Sequence, residues 1–106
     1  MISWDRIREL KEEVGEEDFA EIATLFLDET EAALAQLLSA ADADEAEALL
    51  HSLKGSALNL GFEDMGLMCR EGRARAAYGH GWAEEHARIA RTYEASKALL
   101  LSAGEL

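Results

Sequence analysis

The chain has 106 residues, of which 22 are acidic and 10 basic, giving a net charge of −12, and it contains no proline. Hydrophobic residues at 49% and charged residues at 30% are the balance of a folded domain with one core, not of a disordered segment. A chain this acidic is repelled by phosphate backbones and anionic membranes, which argues against nucleic acid or a lipid surface as a partner.

The charge is unevenly spread. Residues 1–50 hold 15 acidic and 3 basic residues, a net of −12, whereas residues 51–106 hold 7 of each. The single cysteine cannot form an internal disulfide, which suits a reducing compartment. No apolar run reaches membrane-spanning length, and MISWDRIREL lacks the pattern of a signal peptide, so the expected location is the cytoplasm. Alanine, leucine and glutamate dominate, and these are strong helix formers. No repeat or linker divides the chain, so residues 1–106 are read as a single all-α domain.

Five helices follow from apolar spacing and the glycines between them. The first covers about residues 3–14, with Ser3 as a cap, Ile7, Leu10 and Val14 on one stripe and Gly15 as the stop. The second covers about 17–39 with a seam of Phe19, Ile22, Ala23, Phe26, Ala33, Leu34 and Leu37, and an acidic outer face read as a solvated surface. After the turn Ala41-Asp42-Ala43, Asp44 and Glu47 have capping-box spacing and open a third helix that runs to about Leu60 and stops at Gly61. The fourth covers about 63–78. Gly79-His80-Gly81 makes the next turn, and the last helix turns Trp82, Ile89, Tyr93 and Leu100 inward. Short connections between long amphipathic helices imply an antiparallel up-down four-helix bundle, with the short N-terminal helix packed across one end.

The informative stretch is His51-Ser52-Leu53-Lys54-Gly55-Ser56-Ala57-Leu58-Asn59-Leu60-Gly61. At roughly 100° per residue, Ala46, Leu49, Leu50, Leu53, Ala57 and Leu60 form one core-facing stripe. His51, Gly55 and Leu58 then lie roughly 150–170° from its centre, and Lys54 lies on the flank beside His51. His51 therefore faces solvent in mid-helix, where a neutral imidazole offers a lone pair to a partner protein. Lys54, at i+3, places an ammonium where phosphoryl oxygens would arrive. Gly55, at i+4, is costly within a helix, by about 1 kcal/mol relative to alanine. It leaves room beside the histidine for a phosphoryl group and a partner's loops. Exposed Leu58 and small Ala48 supply an apolar docking rim.

HSLKGSALNLG resembles the phosphorylation-site motif of histidine-containing phosphotransfer domains, in which His, Lys at +3, Gly at +4 and Gly at +10 recur. The opening DRIRELKEEVGEEDFAEIATLFLDETEAALAQL is similar to that family's first two helices, so the resemblance covers nearly the whole chain. It implies a four-helix-bundle carrier that exchanges a phosphoryl group between His51 and an aspartate on receiver domains of response regulators and hybrid histidine kinases. It implies no kinase activity of its own. In many members a glutamine or similar polar residue on the next helix orients the histidine. Here Arg73 stands near that position, within Arg70-Glu71-Gly72-Arg73, and Gly72-Arg73 replaces a common Leu-Glu pair. Arg73 is suited to phosphate binding but cannot accept a proton from imidazole.

Other candidates read as structural. His86 falls on the inner stripe of the last helix as a partly buried histidine, His80 is a turn residue, and Cys69 is a small core residue. Together with His51 they lack the spacing of a zinc site, so no metal site is expected on the chain, and magnesium should come with the receiver. Arg70, Arg73 and Arg75 are either ordinary surface charges or a positive collar. The expected function is a monomeric phosphorelay carrier. The alternative is a docking module for receiver or kinase domains that takes no phosphate. A self-contained kinase is disfavoured because no Gly-rich nucleotide-binding segment is present.

Overall fold

A computed structural model describes residues 2–76 and 82–105. Five helices make up most of it: α1 (Trp4–Val14), α2 (Glu16–Leu38), α3 (Ala43–Asn59), α4 (Glu63–Ala76) and α5 (Ala83–Ser102). The β-type pairing among the described residues is an isolated antiparallel bridge between Ile2 and Phe62.

Helix boundaries follow local chemistry. Ser3 caps α1 by accepting a hydrogen bond from the Arg6 amide, and Gly15, at φ +86°, ends it with its own amide on the Lys11 carbonyl. The α3 cap lies two residues earlier than the 44/47 spacing suggests. Asp42 accepts from the Glu45 amide, and the Glu45 carboxylate accepts from the Ala41 amide. Both Asp42/Glu45 and Asp44/Glu47 have the right spacing; the earlier pair satisfies donors that the turn would otherwise leave bare. The end of the predicted fourth helix at 77–78 and the turn Gly79-His80-Gly81 lie outside the described residues.

Around the bundle, α2 packs on α3 and α5, α3 on α4, and α4 on α5, closing a ring of four helices. The registers are antiparallel. Trp82 at the start of α5 donates to the Ala40 carbonyl just beyond α2, while Tyr93 and Lys97, further along, reach Glu31. On the other side, Leu58 lies over Gly66 and Leu50 beside Gly72. The expected four-helix bundle is thus present, drawn out to 42 × 19 × 17 Å.

The α2 seam departs in part from expectation. Its buried residues are Phe19, Ala23, Leu27, Thr30, Leu34 and Leu37, whereas Ile22, Phe26 and Ala33 are half-buried flanks. Thr30 is admitted because its hydroxyl donates to the Phe26 carbonyl, at 2.7 Å, and so stays satisfied in the interior. On α5 His86 is half-buried, as expected, Ser96 is buried, and the charged residue Glu85 is buried as well. A salt bridge with Arg75 makes this burial tolerable.

Two ties hold the helix that carries His51. Leu50, Leu53, Ala57 and Leu60 are fully buried, and each burying leucine contributes about 1.5–3 kcal/mol. At the far end, α1 closes over the last turn of α3. Arg6 Nε donates to the Asn59 carbonyl at 3.2 Å, and the Ser3 amide donates to the Gly61 carbonyl at 2.7 Å. Carbonyls that have no partner within α3 are satisfied in this way. Gly61 has φ +71°, and a Cβ there would stand 2.7 Å from the Ser3 carbonyl oxygen. This position therefore requires glycine.

Candidate functional site

The α3 stripe fixes what α3 shows to solvent. With Ala46, Leu50, Leu53 and Ala57 in the core, His51, Gly55, Leu58 and Ala48 are exposed, and Lys54 is half-buried on the flank facing α4. A Cβ built on Gly55 meets nothing within 4 Å, so the space beside His51 is open.

Small residues on α4 set its register against α3. Gly66 lets the Leu58 side chain lie across α4, with a hypothetical Cβ only 3.3 Å from Leu58 Cδ2. Gly72 is buried beside Leu50, and a Cβ there would lie 3.1 Å from a Glu85 carboxylate oxygen. Next to the second of these contacts, Arg73 comes level with the histidine. Arg73 Nη1 lies 3.2 Å from His51 Nδ1. A guanidinium has donors only, so Nδ1 accepts this hydrogen bond and must carry a lone pair. Nε2 has no partner among the described residues and faces outward on an exposed ring.

Arg73 is itself incompletely satisfied. Its Nε is shielded from solvent without a hydrogen-bond partner among the described residues, although the Glu47 carboxylate stands 3.7 Å away as an ion pair. Glu47 was missed as a site residue because the Asp44 capping pattern claimed it. Its i−4 relation to His51 places it on the same face and was the signal available.

A shallow groove between α3 and α4 runs from Lys54, one turn beyond His51, toward the α1 end. Lys54, Leu58, Glu63, Gly66, Leu67 and Arg70 line it, and Arg70, Arg73, Ala74 and Glu47 line an adjoining depression. Arg70 borders both. Lys54, Arg70 and Arg73 therefore form the cationic wall, and Leu58 and Leu67, both well exposed, the apolar floor. Leu67 and Arg70 complete a surface of which the α3 pattern supplied half. Ala48 is exposed one turn before His51 but lines neither depression. Arg75 is not part of a collar. It turns to α5 and holds Glu85 through contacts of 2.5 and 2.8 Å, which keeps the Glu85 carboxyl below the usual glutamate range against the opposing effect of burial.

Cys69 is buried beneath this surface, and desolvation pushes its thiol up to about 12. It is a core residue and not a nucleophile. Among the described residues no group of three or more histidine, cysteine, aspartate or glutamate side chains is arranged to hold a metal ion, and no helix is long and apolar enough to cross a membrane.

A family model described as the Hpt domain matches residues 21–99, which span the bundle from early α2 to near the end of α5. No curated protein and no solved structure gives a significant match. The chain belongs to the Hpt domain family, whose members are phosphotransfer modules of two-component signalling.

Proposed function

From membership in this family, we propose that the chain is a phosphorelay carrier that accepts a phosphoryl group on His51 from a receiver-domain aspartate or a hybrid histidine kinase and transfers it to a response regulator. The observation that carries the proposal is an outward imidazole with a free Nε2, beside the open space at Gly55 and flanked by Lys54 and Arg73. In the tautomer protonated at Nδ1, Nε2 attacks the phosphorus of the acyl phosphate in line. The N–P bond forms as the P–O bond to the aspartate breaks, and the carboxylate is returned to the receiver. Lys54 and Arg70 offset the negative charge on the phosphoryl oxygens as they pass. Magnesium is supplied by the receiver's acidic pocket. The groove of Leu58 and Leu67, edged by Arg70, is the surface on which the receiver docks.

The test is transfer from a phosphorylated receiver with magnesium to the native chain and to His51→Gln. Acid-labile label on the native chain and none on the variant is the expected result. Label on both would move the acceptor elsewhere. A second reading, a docking module that takes no phosphate, draws on the occupation of Nδ1 by Arg73. It predicts that receivers bind and leave no label.

A further inference from the structure

We infer that Arg73 is a two-position residue: it holds the ring of unphosphorylated His51 through Nδ1, must let go before Nε2 can react, and then grips the phosphoryl group. The inference rests on the carrier reading for its second half only. It begins from the 3.2 Å contact between Arg73 Nη1 and His51 Nδ1. Because guanidinium only donates, a neutral ring in this contact carries its proton on Nε2. That tautomer has no lone pair on the outward nitrogen. For Nε2 to form a bond to phosphorus, its proton must leave and Nδ1 must take one from solvent. Nδ1–H and the Arg73 N–H groups cannot face each other, so the contact has to open first.

The released guanidinium has reason to move to the new group. Its Nε is shielded without a hydrogen-bond partner, and Glu47 at 3.7 Å attracts it without satisfying it. A phosphoryl group on Nε2 brings three acceptor oxygens within a side-chain swing, and guanidinium pairs with phosphate through two parallel bonds. Arg70 borders the same depression and adds a second cation to it. In the transfer, the neutral ring protonated at Nδ1 attacks through Nε2, the N–P bond replaces the donor's bond to phosphorus, and the leaving group departs with the electron pair. Loss of the Nδ1 proton to solvent then restores a neutral ring. Arg73 is thus a positioning residue whose partner changes with the phosphorylation state.

The experiment uses ring-15N-labelled native chain, Arg73→Gln and Arg73→Ala, observed by NMR above the histidine titration, with phosphoramidate as a partner-independent donor. In the native chain the His51 ring is expected to be protonated at Nε2, with the Nδ1 resonance displaced by the hydrogen bond it accepts. Arg73→Ala abolishes that displacement. Arg73→Gln, whose amide oxygen can accept, moves the proton toward Nδ1. With phosphoramidate, Arg73→Gln accepts the phosphoryl group at least as fast as the native chain. It then loses that group about tenfold faster, as expected for one lost charge-assisted contact. Identical ring resonances in native and Arg73→Ala chains would overturn the resting contact. Slower acceptance by Arg73→Gln with an unchanged phosphohistidine lifetime would overturn the change of partner. Failure of receivers to label a native chain that phosphoramidate does label counts against the carrier reading alone, because the ring resonances decide the resting contact without any phosphotransfer.

Discussion

Replacing Gly55 by alanine should stabilise this domain, which makes the glycine informative. Gly55 sits in the interior of α3, is exposed, and has nothing within 4 Å of a hypothetical Cβ. Its backbone is helical, so alanine fits without strain and recovers about 0.5–1 kcal/mol. For 106 residues, an unfolding entropy of roughly 2.1 cal/mol/K per residue gives about 220 cal/mol/K, so the gain corresponds to a rise in Tm of roughly 2–4 °C. Gly55→Gln is also a better helix former than glycine and should fold at least as well. In the proposed carrier role, however, its side chain would occupy the space where a receiver brings its aspartyl phosphate against His51. Misplacing reacting atoms by about an ångström costs on the order of a hundredfold in rate. Thermal unfolding by circular dichroism and the rate of label transfer from a phosphorylated receiver are measured on the same samples. The expected pattern is a higher Tm for both variants and a collapse of transfer for Gly55→Gln. An unchanged or lower Tm for Gly55→Ala would mean that the open space is not open. A Gly55→Gln chain that transfers normally would mean that the glycine has no part in access.

Gly61→Ala should destabilise the fold by about 2–4 kcal/mol, combining the left-handed backbone with displacement of the Ser3 carbonyl; a urea midpoint equal to the native value would refute this. Glu85 is held below the ordinary glutamate range by its hydrogen bond from Arg75, and Glu31 by its bonds from Lys97 and Tyr93. Lowered folded values mean that these carboxylates stabilise the fold above the ordinary glutamate pKa of about 4.3 and lose that contribution as pH falls through the folded values. The urea midpoint should therefore begin to drop as pH falls toward about 4.3 and keep dropping below it, and Glu85→Gln should lose part of that acid dependence. Buried Cys69, its thiol pushed up to about 12, should resist iodoacetamide at neutral pH in the folded chain and react once the chain is unfolded; rapid labelling of folded protein would contradict its place in the core.

The helical bundle was legible in the sequence because apolar spacing is a local property that burial enforces. The 3.6-residue stripe of α3 alone sends Leu50 and Leu53 inward and His51 and Gly55 outward. Gly15 and Gly61 were legible as stops for the same reason, since positive φ belongs to glycine. That Asp42 and not Asp44 caps α3, and that the charged Glu85 is buried on α5, was not legible. Two caps of equal spacing differ only in which backbone donors the turn leaves bare, and a glutamate is buried only where an arginine from another helix meets it. Arg73 was placed near His51 by the family resemblance alone, and its contact with Nδ1 is not contained in the helical pattern. Sequence identified the helix that carries His51 and its outward face. The register of α4, set by Gly66 under Leu58 and Gly72 beside Leu50, decided which cation of Arg70, Arg73 and Arg75 touches the imidazole. That choice depends on how two helices slide past each other, and no periodicity within either one contains it.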